Sequence, residues 1–179
     1  MSSKTLYLIV IVVCLSVVSA GIYFILGGFE ETEVYFFDGT DRMVIGKEHF
    51  LKNDKKSFYA EMDSAKADLL SGVLKGKLTA VIYQDEWQEK DSLHCFIGVA
   101  QDSVKGGVVR LPAGYDYRQF STDRIYKIFV TQSMWVVPSP KTLEETLQVR
   151  SIEEGEVLQP VTFELYYEDG SFSVEKWVK

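Results

Sequence analysis

The chain has 179 residues and a formal charge of −7. An acidic surface repels phosphate backbones, which argues against nucleic-acid binding. Two cysteines (Cys14, Cys95) and two histidines (His49, His94) offer no spaced ligand set for zinc or haem, and no Walker-type loop, Gly-x-Ser-x-Gly, Gly-x-Gly-x-x-Gly or His-Glu-x-x-His occurs, so no cofactor is implied.

The first element is an uncharged run from Thr5 to Phe29. Its most apolar part, Leu6 to Leu26, makes a helix of roughly 32 Å, which matches a hydrocarbon layer of roughly 30 Å. Residues 1–29 are therefore expected to form a short tail and a membrane-spanning signal-anchor that contacts the lipid bilayer through residues 5–29. A cleaved signal peptide is the competing reading, because Val18-Ser19-Ala20 ends in a small residue. Gly21 to Leu26 extends the apolar run past that position, which favours an anchor. Lys4 precedes the run while Glu30, Glu31 and Glu33 follow it, which orients the remaining domain toward the non-cytoplasmic side. Lys4 is the sole charged side chain before Glu30, so residues 30–179, one domain in length, carry a charge of −8.

Within that domain, Val34 to Phe37 is rich in β-formers and is closed by the turn signal Asp38-Gly39. Phe58, Met62, Ala65, Leu69 and Val73 recur at helical spacing, with Ser57 as cap and Gly72 or Gly76 as stop. Strands Leu78 to Tyr83 and Leu93 to Val99 follow, joined by a polar hairpin around Gln84 to Ser92. Asp116 to Phe120 and Arg124 to Thr131 are strand candidates. Ser139-Pro140 reads as a cap with proline at the first helical position, and Leu143, Leu147 and Ile152 give that helix an apolar face up to Gly155. Val161 to Tyr167 and Ser171 to Val178 close the chain as a hairpin turned at Glu168-Asp169-Gly170. Strand, helix, strand, strand, twice over, predicts an α+β domain with helices on one face of an antiparallel sheet.

Alternation along the strands separates two faces. Val161, Phe163, Leu165 and Tyr167 oppose Thr162, Glu164 and Tyr166; Leu93, Cys95, Ile97 and Val99 oppose His94, Phe96 and Gly98. The wholly apolar faces are expected beneath the helices. The other faces would then gather Glu164, Tyr166, His94 and Phe96 into an open cleft. Aromatic faces attract cations by about 0.5–2 kcal/mol and a carboxylate supplies the charge partner, so the cleft would suit an amphipathic or cationic molecule. His94 and Cys95 are not a metal pair, because adjacent strand residues point to opposite faces.

Arg110-Leu111-Pro112-Ala113-Gly114-Tyr115, then Trp135, then the run from Pro160 through Phe163-Glu164-Leu165-Tyr166 to Asp169, resemble the GyrI-like domains, the small-molecule-binding fold of multidrug-sensing transcription regulators. Membrane-anchored members of the ER-phagy receptor type place such a domain directly after an amino-terminal span, although their long acidic carboxyl tail has no counterpart here. The resemblance implies a pseudo-twofold pair of strand-helix-strand-strand units around a central cleft. It also implies that Glu164 contacts a positively charged lipophilic ligand, with Tyr166 and Trp135 at aromatic positions. Some members hydrolyse strained rings with a tryptophan and a glutamate; here Trp135 is followed by Val136-Val137-Pro138 rather than Leu-Pro. The expectation is a membrane-anchored domain that binds a small amphipathic or cationic molecule, with Glu164 as charge partner and Tyr166, Trp135, Phe96, Tyr83 and His94 around it. A hydrolase of strained electrophiles and a module docking a protein partner at the cleft or a strand edge are the alternatives.

Overall fold

A computed structural model describes residues 3–26, 32–52, 54–84, 92–102, 111–131 and 138–179. The chain begins with helix α1 (Ser3–Ile25), in which Tyr7–Ile25 has a mean hydropathy of 2.8 and none of its residues buried. That stretch is long and apolar enough to cross a bilayer. The domain then runs β1 (Tyr35–Asp38), β2 (Asp41–Lys52), α2 (Lys55–Leu70), β3 (Lys77–Tyr83), β4 (Ser92–Asp102), β5 (Asp116–Ser121), β6 (Arg124–Val130), α3 (Pro140–Glu153), β7 (Leu158–Tyr166) and β8 (Phe172–Val178).

All eight strands join one antiparallel sheet in the order β1-β6-β8-β7-β3-β4-β2-β5. Each half of the domain is a strand-strand-helix-strand-strand unit, and each gives its leading short strand to the other half: β1 pairs with β6, and β5 pairs with β2. The expected repeat is present, with one correction. The strand that precedes α2 in the sheet is the 12-residue β2, not the segment around Val34 to Phe37, which forms the edge strand β1. Likewise β5 and β6 are neighbours in sequence yet lie at opposite sides of the sheet.

The helices form where the sequence places their signals, with local differences. Asp54, not Ser57, caps α2: its carboxylate accepts from the Ser57 backbone N–H at 2.8 Å and from the Ser57 hydroxyl at 3.0 Å. The helix stops before Gly72, whose φ of +76° suits a residue without a side chain, and Val73 lies beyond it, half exposed. Ser139 caps α3 through Thr142 N–H, and Pro140 occupies the first turn. Leu143 and Leu147 are buried as expected, but Ile152 is 69% exposed and Ser151 takes the inward place.

Both helices pack on one face. Met62 and Ala65 of α2 meet Leu78, Ala80, Cys95 and Ile97, while Leu143 and Leu147 of α3 meet Tyr126, Ile128, Val130 and Val174. The opposite face carries no helix among the described residues, yet Val81, Phe96, Phe163 and Trp177 on it are fully buried. Curvature explains this. Phe120 on β5 sits edge-on to Phe163 on β7 with centroids 5.0 Å apart. These strands are four positions apart, about 19 Å in a flat sheet at about 4.8 Å per strand. The sheet therefore curls, and its uncovered face closes on itself.

A glycine pair permits the close approach of β2 and β4. Gly46 and Gly98 are directly opposed, and a Cβ on Gly98 would stand 2.0 Å from the Ile45 carbonyl oxygen.

Candidate functional site

Strand register decides which predicted residues meet. Val81 is opposite Phe96 on β4 and Phe163 on β7, and the Tyr83 ring lies 4.4 Å from the His94 ring, so Phe96, Tyr83 and His94 belong to the uncovered face. Glu164 is opposite Ala80 and Tyr166 is opposite Leu78, both on the face that α2 covers. The expectation that Glu164 and Tyr166 share an open surface with Phe96 and His94 is corrected: they lie on the other side of the sheet, against the helices. Trp135 lies outside the described residues, as does the greater part of the hairpin around Gln84 to Ser92.

On the covered side Glu164 is 3% exposed and accepts a hydrogen bond from the Tyr166 hydroxyl at 2.5 Å. Burial pushes its pKa up, Tyr166 pulls it partly back, and Glu144 on α3 adds to the rise. Beside it Glu144 accepts from Thr162 at 2.7 Å and pairs with Lys176 at 2.7 Å. Cys95, on the same face, is held as a thiol by burial, with its pKa pushed up to about 12. Glu164 and Cys95 lie in the interior between the sheet and the helices.

The uncovered face has its own carboxylate, which the sequence reading did not single out. Glu175 on β8 is 1% exposed. Its Oε2 accepts from Arg42 Nη1 at 2.6 Å and from the Trp177 indole N–H at 3.2 Å; its Oε1 pairs with Lys127 Nζ at 2.8 Å. Burial raises its pKa, but Arg42 and then Lys127 outweigh that cause and hold it below the usual carboxylate value. Rings surround the group. Phe163 and Trp177 stack at 4.4 Å, and the Arg42 guanidinium lies 5.0 Å from the Trp177 ring and 5.5 Å from Phe163. Lys127 lies 4.4 Å from the Phe129 ring and donates to the Tyr167 hydroxyl at 3.1 Å.

Farther along the same face, His94 stacks on Phe50 and lies tilted against Tyr83, each at 4.4 Å. Its Nε2 lies 3.0 Å from Glu48 Oε1. Arg118 connects Glu48 to Asp116 and covers the Phe96 ring at 5.2 Å. Among the described residues no group of three or more His, Cys, Asp or Glu side chains could hold a metal ion.

The signal for Glu175 was present in the last strand, where Ser173, Glu175 and Trp177 alternate with Phe172, Val174 and Lys176. Arg42 carries no such signal, because Gly46 and the polar run Lys47-Glu48-His49 interrupt the apolar alternation of β2.

Two strand-exchanged units with helices on one face of a single antiparallel sheet are consistent with a GyrI-like α+β fold. No protein-family model matches the chain, and no curated protein sequence matches it. The solved EcmrR C-terminal domain is similar at 12% identity and a TM-score of 0.57, over 83% of this chain and 98% of that one. EcmrR in its DNA complex is similar at 12% identity and a TM-score of 0.58, over 98% of this chain and 69% of that one. SAV2435 bound to tetraphenylphosphonium is a weaker likeness, at 12% identity and a TM-score of 0.48, over 83% of this chain and 94% of that one.

Proposed function

We propose that the chain is a membrane-tethered receptor domain that binds a small amphipathic, cationic molecule non-covalently on the uncovered face of its sheet. Residues 1–29 supply the tether and residues 30–179 the binding domain, on the non-cytoplasmic side. Trp177, Phe163, Phe96 and Tyr83 form the apolar walls, His94 lies at the margin, and Glu175 takes the place that the sequence reading gave to Glu164. The observation that carries this reading is a carboxylate 1% exposed among stacked rings on the one sheet face that the helices leave free. Such a group neutralises a cation in a desolvated setting, and the adjacent rings add cation–π attraction. Because Arg42 and Lys127 lower its pKa, the Glu175 carboxylate is a weak base and suits charge neutralisation better than proton abstraction.

The test compares carboxylates on the two faces. Full-length protein in lipid nanodiscs is titrated calorimetrically with tetraphenylphosphonium, a cation whose charge does not vary with pH, with empty nanodiscs as blank. Glu175→Asp retracts the carboxylate but keeps its charge, and is expected to weaken binding by about tenfold, the loss of one charged contact. Glu164→Gln, on the covered face, is expected to leave binding unchanged. Equal losses from both variants, or none from Glu175→Asp, would sink the reading.

A further inference from the structure

We infer that Arg42 is a tethered ligand: its guanidinium occupies the cation position of the uncovered face, and a free organic cation enters only by displacing it. This rests on the binding reading above. A receptor for an organic cation needs a desolvated carboxylate, ring faces within about 6 Å of the charge, and exclusion of water. Arg42 meets each condition within its own chain. Its Nη1 is 2.6 Å from Glu175, its guanidinium carbon is 5.0 and 5.5 Å from two ring centroids, and its side chain is only 11% exposed.

An ordinary structural ion pair would not need this arrangement, because Glu175 already has a cation. Lys127 lies directly opposite Glu175 in the β6–β8 ladder and pairs with it at 2.8 Å, anchored also by the Tyr167 hydroxyl. One carboxylate against two cations leaves that cluster with a formal charge of +1. Arg42 is the surplus member, and it arrives from β2, four strand positions from β8. Phe120, directly opposite Arg42 in the β2–β5 ladder, wedges against the same Phe163 and Trp177 rings. Withdrawal of Arg42 with Phe120 would uncover those rings and one oxygen of Glu175 while the Lys127 pair holds β6 and β8 together. An incoming cation would then meet the partners that Arg42 had left. In this scheme Arg42 sets an affinity threshold that only a cation with a large apolar body passes.

The experiment is a titration of wild type and Arg42→Ala, both full-length in nanodiscs, with tetraphenylphosphonium. The variant is expected to bind at least about tenfold tighter, since the competing internal cation is gone. Methylguanidinium should raise the unfolding temperature of Arg42→Ala, leave that of wild type unchanged, and compete with tetraphenylphosphonium in the variant. Arg42→Gln, which keeps the length and loses the charge, gives the same reading if the alanine variant does not fold. Equal affinity in wild type and variant would overturn the tethered-ligand inference and leave the binding site standing. Absence of binding in both, with the proteins folded, would overturn the inference and the proposed function together.

Discussion

Glu164 and Glu175 are carboxylates of similar burial on opposite faces of one sheet, and their neighbours give them opposite pH behaviour. Glu164 has a hydroxyl and another carboxylate nearby, and burial leaves its pKa raised. A carboxyl raised on folding binds more protons folded than unfolded, so its contribution to stability declines as pH climbs from the ordinary range, about 4.3, through the raised value. Glu175 has its pKa lowered by Arg42 and Lys127 against the effect of burial. Its contribution is complete above the ordinary carboxyl range and is lost as pH falls through the lowered value. Glu164→Gln keeps an acceptor for the Tyr166 hydroxyl and has no charge to bury. It should be more stable than wild type at pH 7 in urea titrations, with the difference gone below about pH 4. Glu175→Gln leaves buried Arg42 and half-buried Lys127 without their shared counter-charge and should cost about 3–5 kcal/mol at pH 7, a loss that shrinks in acid. Matching pH profiles for the two variants would refute the assignment of the carboxylates to different electrostatic settings.

At the scale of elements, the uncovered face depends on how closely β2 and β4 approach at Gly46 and Gly98. Gly98→Ala would drive a methyl into the Ile45 carbonyl and the Gly46 Cα, both backbone atoms that cannot swing aside. The expected cost is about 1–3 kcal/mol in urea unfolding, with weakened ligand binding because Phe96, one of the proposed apolar walls, rides on β4. A neutral substitution would mean that the strands can separate there without loss. The same strands show how far the sequence could be read. Local signals located α2, α3, β3, β4 and the β7–β8 hairpin, because Ser139-Pro140 and Asp169-Gly170 act on their own neighbourhood. β2 escaped because Gly46 and the run Lys47-Glu48-His49 interrupt its apolar alternation. The exchange of β1 and β5 between halves leaves no local trace, since periodicity reports a residue's face and not its partner strand. The face assignment failed on β7 for a physical reason. An apolar face was equated with the helix side, whereas here the uncovered face curls into a second interior that buries Phe163 while the helix side accommodates Glu164 through Tyr166.

For the whole molecule, the apolar stretch of α1 is long enough to cross a bilayer. None of the residues from Tyr7 to Ile25 is buried within the chain, and the 19 residues would extend about 28 Å as a helix, close to the hydrocarbon thickness. The domain that follows has a charge of −8, so attraction to an anionic headgroup layer would not hold it at a membrane, and retention there would rest on the apolar helix. A tether of this kind would be separable from the fold. Val13→Arg places a charge near the middle of the apolar stretch, where it costs about 2.5–3.5 kcal/mol of insertion free energy. The wild-type chain is expected to stay in the pellet after alkaline carbonate extraction, and Val13→Arg to shift substantially into the supernatant. Thermal unfolding of the domain should be the same in both, since Val13 is 54% exposed. Release of the wild-type chain by carbonate would refute the spanning helix. Co-unfolding of the domain in Val13→Arg would show instead that the apolar helix is a packed part of the fold.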